Sequence, residues 1–511
     1  MLGGSSGINN QAFIAPSAAG IDAWSAMGNS GWDWKTLAPY YRKFHTLKLP
    51  NESTAAHLGL DYANVEVNGT DGPIQASYTG VVLDPLSKAW VDTFKAIRYG
   101  VRGDPFSGKA LGGYANPSTV DPKTKTRSYS ASAYYAPADQ RPNLHVFVGA
   151  EVENIGLVSQ PDQDVLADHV NFVIDGTIKS INARKEVILA AGVFQSPKLL
   201  ELSGIGNPEI LESISVPTLI PNRNVGENLQ DHLMAGISYE VQPGVMTGDP
   251  LMRQEPEQVE AAMKMYSNNL GGPLAVGGIG SHAIMPLLDL DRATGRSSEL
   301  QALLEANPPS SDDKLHYDFL RTILEAPEEG VGALFMFAAQ WNLNGGSVRP
   351  ENFLTLGAIQ SHPFSRGSSH AISKIPADQP SINPKYFSNP IDLELLAHHV
   401  LFLEQFANTS PLSTFLKPDG KRNSPAAHLH DLQAAKDYIK DIAVSTYHPC
   451  GTCAMLPRAD GGVVSDHLLV HGTKNLRVVD ASVFPIIPRG NIQSTVYAVA
   501  ERAADIIKAE G

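Results

Sequence analysis

The period of the apolar positions changes several times along this chain, and each change predicts an element. Leu37, Tyr40, Tyr41 and Phe44 recur at three- and four-residue spacing behind Asp33, which predicts a helix with a buried aromatic face and Asp33 as its N-cap. Residues 50–80, rich in Asn, Gly, Thr and Ser, read as a loop. Residues 141–148 predict an apolar strand, and residues 151–155 continue extended with Val152 at a strand end. Residues 186–191 form a short continuous apolar run, the mark of a strand buried on both faces. Gly192 breaks that run, and Ser196 followed by Pro197 predicts the N-cap and first turn of a helix that Ser203-Gly204-Ile205-Gly206 closes. A strand, a Gly and a helix in this order match a doubly wound α/β sheet, whose ligands lie outside the carboxyl ends of the strands. Between residues 240 and 440, alternating apolar segments at 333–337 and 353–356, Pro-rich turns and a helix over 392–408 predict an α+β unit built on an antiparallel sheet. The chain then returns with a strand at 476–479, ending in Asp480-Ala481-Ser482. A closing helix over 495–508 is predicted to bury Val496, Val499, Ala500, Ala503 and Ile507.

Composition narrows the partners. A chain of 511 residues with 42% apolar side chains can bury a core large enough for more than one packed unit. Its net charge of −14, with no cluster of Lys and Arg, argues against nucleic acid and anionic membrane. No apolar run approaches the roughly 18 residues of a membrane span, and the chain as given opens with neither a basic nor an apolar leader segment. Sequons at Asn51, Asn68 and Asn408 are compatible with secretion and glycosylation but leave the compartment open.

Three stretches carry candidate chemistry. Gly3-Gly4-Ser5-Ser6-Gly7 satisfies the nucleophile-elbow pattern with Ser5 as nucleophile, yet only two residues precede it where the elbow requires a strand. The same Gly/Ser loop, with free backbone N–H groups, suits a phosphate or pyrophosphate. Cys450 and Cys453 form one C-x-x-C, readable as a redox dithiol or half a zinc site. No second His or Cys pair stands at matching spacing, so no metal site is expected and the two are read as small side chains packed around the neighbouring histidine. That histidine, His448, sits in a Pro- and Gly-rich turn, and Asn491 lies on the Gly-rich entry to the closing helix; an imidazole beside an amide is the candidate reactive centre. His232 is read as satisfying a local hydrogen bond.

Taken together, several motifs resemble the glucose-methanol-choline (GMC) oxidoreductase family. They are Gly3-Gly4-Ser5-Ser6 with Ile8-Asn9, and the Gln195-Ser196-Pro197 to Ser203-Gly204-Ile205-Gly206 stretch. Val225-Gly226 with Asn228-Leu229 and Asp231-His232, His448-Pro449 with Gly451-Thr452, and Asp480-Ala481-Ser482 complete the set in the family's order. The resemblance implies an FAD-dependent oxidoreductase acting on the CH–OH group of a small-molecule alcohol, with oxygen or a quinone as electron acceptor. It implies a doubly wound FAD-binding domain from residues 1–48, 141–238 and 440–511, and a substrate domain from 49–140 and 239–439. Ser5, Asn9, Asn10 and Ala12 then lie along the pyrophosphate and ribityl chain, Val152 on the adenine side, and Asp480, Ala481 and Ile492 beside the flavin. His448 becomes the general base and Asn491 the second active-site group. Some members tether FAD through a His in the first loop; Ile8 stands there, so FAD is expected to be non-covalent.

The chain departs from the family in one respect. A member opens with a βαβ unit carrying Gly-x-Gly-x-x-Gly, and this sequence contains no such motif. An N-terminally incomplete FAD-binding domain is the resulting expectation, any signal peptide falling in the missing segment. Two other readings follow from the resemblance: a non-redox FAD-containing lyase or cyclase, and a flavin-free product without catalysis. Aryl, sugar and secondary-metabolite alcohols all remain open as substrates.

Overall fold

The computed structural model describes residues 1–78, 84–160, 163–269, 271–287, 298–309, 314–343, 345 and 347–510. It is a mixed α/β structure with a six-stranded antiparallel sheet. That sheet runs in the order Val444–Ser445, Leu233–Glu240, Phe353–Gln360, Gly332–Phe337, Ser281–Met285, Gly112–Ala115. Its strands obey the two-residue period of a pleated sheet. Leu334 and Met336 turn toward the cluster that contains Val400, Leu403 and Phe406 of the helix Pro390–Ala407, while Ala333 and Phe335 pack with Met234, Trp341 and Ile359 on the opposite face. Both faces are covered, so every residue of Phe353–Gln360 is buried. The predicted antiparallel sheet and the helix beside it are both present.

A second body of core gathers the helices Ala18–Ala26, Trp34–Lys43 and Gln493–Glu510 around Phe13, Trp24, Trp32, Val478 and Phe484. Asp33 caps its helix as predicted, its carboxylate accepting from the Thr36 N–H at 2.7 Å. Beside this core, Val187–Leu189 pairs in parallel with Leu476–Val478. Three antiparallel strands, Glu151–Gln160, Gln163–Ile174 and Thr177–Asn182, flank it.

Several local expectations are corrected. Residues 141–148 form turns and irregular chain rather than a strand: among the described residues no strand pairs with them, and Val146, Phe147 and Val148 are exposed. The run before Gly192 is a three-residue strand with Ile188 half exposed, not one buried on both faces. Its helix begins at Gly192, four residues before the predicted cap; Ser196 lies inside it, its hydroxyl donating to Asp480 and accepting from the Ala191 N–H. Within residues 50–80, a helix forms at Glu52–Leu58 behind an Asn51 cap and a strand forms at Ile74–Ser77. On the closing helix the buried face is carried by Tyr497, Ala498, Val499 and Ala503, and Ala500 is exposed. Of the sequons, Asn68 is 5% exposed and its amide donates to Asp104 Oδ2 at 2.9 Å, so the folded chain does not present it for modification.

The turn that leads to His232 is held by a partly buried charge cluster. His370 Nδ1 lies 2.7 Å from Glu201 Oε1 and its Nε2 lies 3.0 Å from Glu227 Oε1. Two carboxylates at the two ring nitrogens require both to carry protons. Burial lowers the His370 pKa, but the Glu201 and Glu227 carboxylates outweigh it and raise it to about 9. A folded pKa above the ordinary value of about 6.5 gives stability that is full below pH 6.5 and lost as pH rises through 9. The melting temperature is therefore expected to fall between pH 6.5 and 9 in the wild type, and less steeply in His370→Gln.

Candidate active site

Three neighbouring strands of the six-stranded sheet end at the same level, and the site is built there. Leu233 pairs with Ser445 and Met234 with Ile359, which sets His232 between Ser361 on one side and the 446–448 turn on the other. Gln230 and Cys450 form a further bridge, exchanging N–H···O bonds of 3.0 and 2.9 Å. Between the two pairings the 446–449 segment bulges, with Tyr447 in the left-handed region at φ 61° and 73% exposed. Asp231 holds the bulge. Its Oδ1 accepts from the His448 N–H at 3.0 Å, while Oδ2 accepts from the Ser445 and Tyr386 hydroxyls, both at 2.5 Å. This carboxylate binds the histidine's backbone, and the ring is left to other partners.

Those partners are an amide and a second imidazole. His448 Nε2 stands 3.0 Å from Asn491 Nδ2, and His448 Nδ1 stands 3.1 Å from His232 Nδ1. The two rings meet edge to face, with centroids 5.2 Å apart and an interplanar angle of 87°. His232 Nε2 in turn lies 2.9 Å from the Ser361 carbonyl oxygen. His448 is 7% exposed. Burial first, then the neighbouring His232 and His282 rings, hold its pKa well below the ordinary value, so it is a neutral imidazole at physiological pH. Asn491 is delivered by Gly490, whose φ of 77° suits glycine and where a Cβ would stand 2.5 Å from Ile14 Cγ2. Cys450 and Cys453 are free, fully buried thiols, raised by burial, and among the described residues no group of three His, Cys, Asp or Glu could hold a metal.

The residues expected at a cofactor approach this centre along one strip of backbone. Asn9 Nδ2 donates to Gln493 Oε1 at 2.9 Å, and Gln493 Nε2 donates to the Ala12 carbonyl at 2.8 Å. The first loop is thereby fastened to the segment holding Asn491 and Ile492. Asn9 Oδ1 also accepts from Arg127 at 2.7 Å, and the Asn10 carbonyl accepts from the Gly278 N–H at 3.1 Å. Ser5 and Ile8 are exposed on the same loop. Asp480 clamps two elements: its Oδ2 accepts from the Gly192 N–H at 2.9 Å and the Ser196 hydroxyl at 2.5 Å, and its Oδ1 from the Ser482 N–H at 2.8 Å. The Ala481 carbonyl accepts from Gly451 N–H at 3.2 Å, joining this clamp to the His448 turn. Val152 is half-buried near the start of its strand and packs on the same core. Around this strip Gly4, Gly149 and Gly192 all have positive φ and no atom within 4 Å of where a Cβ would stand. An open, glycine-lined backbone leaves room for a dinucleotide such as FAD.

The structure thus brings His448 and Asn491 into contact and ties Asn9, Ala12, Asp480, Ala481 and Ile492 to the segments that carry them. Two residues were undervalued by the sequence. Asp231 and His232 were visible only as part of a motif, and the sole signal for their place was that motif's Asp-His pair. Their partner His448 lies 216 residues away from His232.

Comparison with known proteins agrees with this construction. Family models described as GMC oxidoreductase match residues 1–234 and 363–500. A dehydrogenase of Monascus purpureus is 35% identical over 99% of this chain and 83% of its own length. Among solved structures, an FAD-dependent oxidoreductase of Chaetomium thermophilum superposes with a TM-score of 0.87 at 26% identity, covering 100% of this chain and 86% of the other. A fungal aryl-alcohol oxidase superposes at 0.83 with 25% identity, over 100% and 86% of the two chains. With two family models covering most of its length, the chain belongs to the GMC oxidoreductase family.

Proposed function

We propose that this protein is an FAD-dependent oxidoreductase that oxidises the CH–OH group of an alcohol, with His448 as general base. The observation that carries the reading is the Asn491–His448–His232 contact chain around a neutral, buried imidazole. Oxidising an alcohol removes a hydroxyl proton and a carbon-bound hydride, and no side chain accepts a hydride. When bound, FAD supplies the hydride acceptor. An alcohol oxygen entering between the two replaces their direct contact: His448 Nε2 takes the hydroxyl proton, and the Asn491 amide N–H holds the same oxygen and stabilises its developing negative charge. His448 is only 7% exposed, which keeps bulk water from the imidazole.

Ser5, Asn9, Asn10 and Ala12 would hold the pyrophosphate and ribityl chain, Val152 the adenine side, and Asp480, Ala481 and Ile492 the flavin. The exposed Ile8 offers no tethering nitrogen on that loop, which supports non-covalent binding. The sequence holds no Gly-x-Gly-x-x-Gly, so weak retention of FAD by this chain belongs to the same reading. The domain division at 1–48, 141–238 and 440–511 against 49–140 and 239–439 is supported by the two largest apolar clusters. Most buried members of each come from one set, although Ile74, Ala76 and Phe106 cross into the first, and Leu233, Ala235, Ile237 and Ile442 into the second. Among the described residues no helix is long and apolar enough to cross a membrane. Similarity to the aryl-alcohol oxidase favours alcohol oxidation over a non-redox role. Oxygen or a quinone is the proposed acceptor.

The test is steady-state oxidation of a panel of aromatic, sugar and aliphatic primary alcohols with added FAD, using oxygen or a quinone, from acid to neutral pH. Because the His448 pKa is depressed, its basic form persists as pH falls through 6.5, so kcat/KM on an active alcohol should stay flat there and drop only at more acid pH. A profile that falls through the ordinary histidine value would assign the base elsewhere.

A further inference from the structure

The direction of each hydrogen bond in the His448 chain can be fixed from one end. The Ser361 carbonyl oxygen, 2.9 Å from His232 Nε2, has no proton to give, so Nε2 carries the proton and donates. His232 is fully buried, and burial depresses its pKa to about 4 against the opposing pull of that carbonyl, which leaves the ring neutral with a single proton. Its Nδ1 is therefore a lone pair. At 3.1 Å from it, His448 Nδ1 must be the donor, or two lone pairs would face each other. A neutral His448 with its proton on Nδ1 has its lone pair on Nε2, and there the Asn491 amide presents an N–H at 3.0 Å. Asn491 to His448, His448 to His232 and His232 to Ser361 form one run of donations in a single sense.

We propose that His232 is a positioning residue that fixes the tautomer of His448, placing the lone pair on Nε2 and accepting the Nδ1 proton as a neutral hydrogen-bond partner. This rests on the reading of His448 as the base and adds what makes its nitrogen available. The alternative tautomer, with the proton on Nε2, would turn a donor toward Asn491 and leave nothing there to take a hydroxyl proton. Many catalytic histidines are oriented by a carboxylate, which also raises their basicity. Here the carboxylate that the described residues place at the bulge, Asp231, is taken up by the His448 backbone N–H and the Ser445 and Tyr386 hydroxyls. The other titratable groups that act on His448 are the His232 and His282 rings. A neutral acceptor fixes the ring without the large rise in proton affinity that a carboxylate brings, and the base stays unprotonated in its buried setting. When Nε2 takes a proton, the Nδ1 proton stays where it is and His232 continues to accept it.

The test is 15N NMR of the full-length chain labelled at histidine, in the wild type, His232→Phe and His232→Gln, with thermal unfolding of each to verify folding. It reads the imidazole nitrogens directly and needs no turnover. The expected wild-type result is a pyridine-like Nε2 and a pyrrole-like Nδ1 for His448, assigned by the loss of its signals in His448→Ala. In His232→Phe, which keeps a ring but no acceptor, the second tautomer should appear. In His232→Gln, whose Oε1 can accept, the wild-type pattern should return. With added FAD, kcat should fall on the order of 10²-fold in His232→Phe with KM little changed, and recover in part in His232→Gln. A pyrrole-like Nε2 in the wild type, or an unchanged pattern in a folded His232→Phe, would overturn the proposal whatever the kinetics show. The wild-type pattern as expected, together with full activity in His448→Ala, would instead remove the general-base reading and leave the tautomer assignment standing.

Discussion

Replacement of His448 by alanine is expected to lower kcat for alcohol oxidation by about 10²–10⁴-fold, the usual contribution of a general base, with a smaller change in KM. The expectation follows from its surroundings. His448 is the imidazole whose Nε2 meets the Asn491 amide and whose burial keeps it neutral. Burial depresses His45 as well, to about 4, but its Nδ1 lies on the Tyr41 carbonyl and its Nε2 accepts the Gly69 N–H, so both nitrogens are committed to the backbone. Because alanine removes the Nδ1 donor as well as the base, His448→Gln serves as the control for packing. It should remain folded and remain slow, and a His448→Gln variant at wild-type rate would exclude the imidazole from the chemistry.

The largest effect on stability is expected at Trp24. This side chain is fully buried, its Nε1 donates to the Ile486 carbonyl at 3.0 Å, and its ring lies 5.1 Å from Phe484 and 6.4 Å from Trp32. Trp24→Ala empties a large volume in the core and leaves the Ile486 carbonyl without its donor. A loss of about 3–5 kcal/mol is expected, read as a shift of the denaturation midpoint at unchanged slope. The segment it supports, Phe484 to Ile487, leads directly to Gly490 and Asn491. Activity should therefore fall in Trp24→Ala even at temperatures where the variant is folded. A loss under about 1 kcal/mol would mean that the aromatic cluster closes around the gap.

What could be read from the sequence depended on how local its cause was. The Asp33 cap and the helix behind it, the strand at 353–360 and the helix at 390–407 follow from side-chain period and capping chemistry within a few residues, and all are present. The start of the Gly192 helix was misplaced because Ser196-Pro197 has the form of an N-cap, while the partner that claims the Ser196 hydroxyl, Asp480, comes from the far end of the chain. Residues 141–148 have strand composition but, among the described residues, no strand to pair with, and composition alone cannot supply the hydrogen bonds. The site shows the same division. His448 and Asn491 stand out through their Gly- and Pro-rich settings and the family motifs. His232 reads as an ordinary buried histidine until the sheet register brings it beside His448, since Leu233 pairs with Ser445 across more than two hundred residues. Asp231 gives no local sign that its carboxylate will hold a bulge.

The central claim is that an alcohol reduces flavin on this protein with His448 taking the proton. Its most direct test is the visible absorbance of the full chain with added FAD, recorded without oxygen while an alcohol is mixed in, for the wild type and His448→Ala. The account predicts flavin bands that bleach rapidly in the wild type and about 10²–10⁴-fold more slowly in the variant. Bleaching at equal rates in the two, or bound flavin that no alcohol reduces, would contradict it.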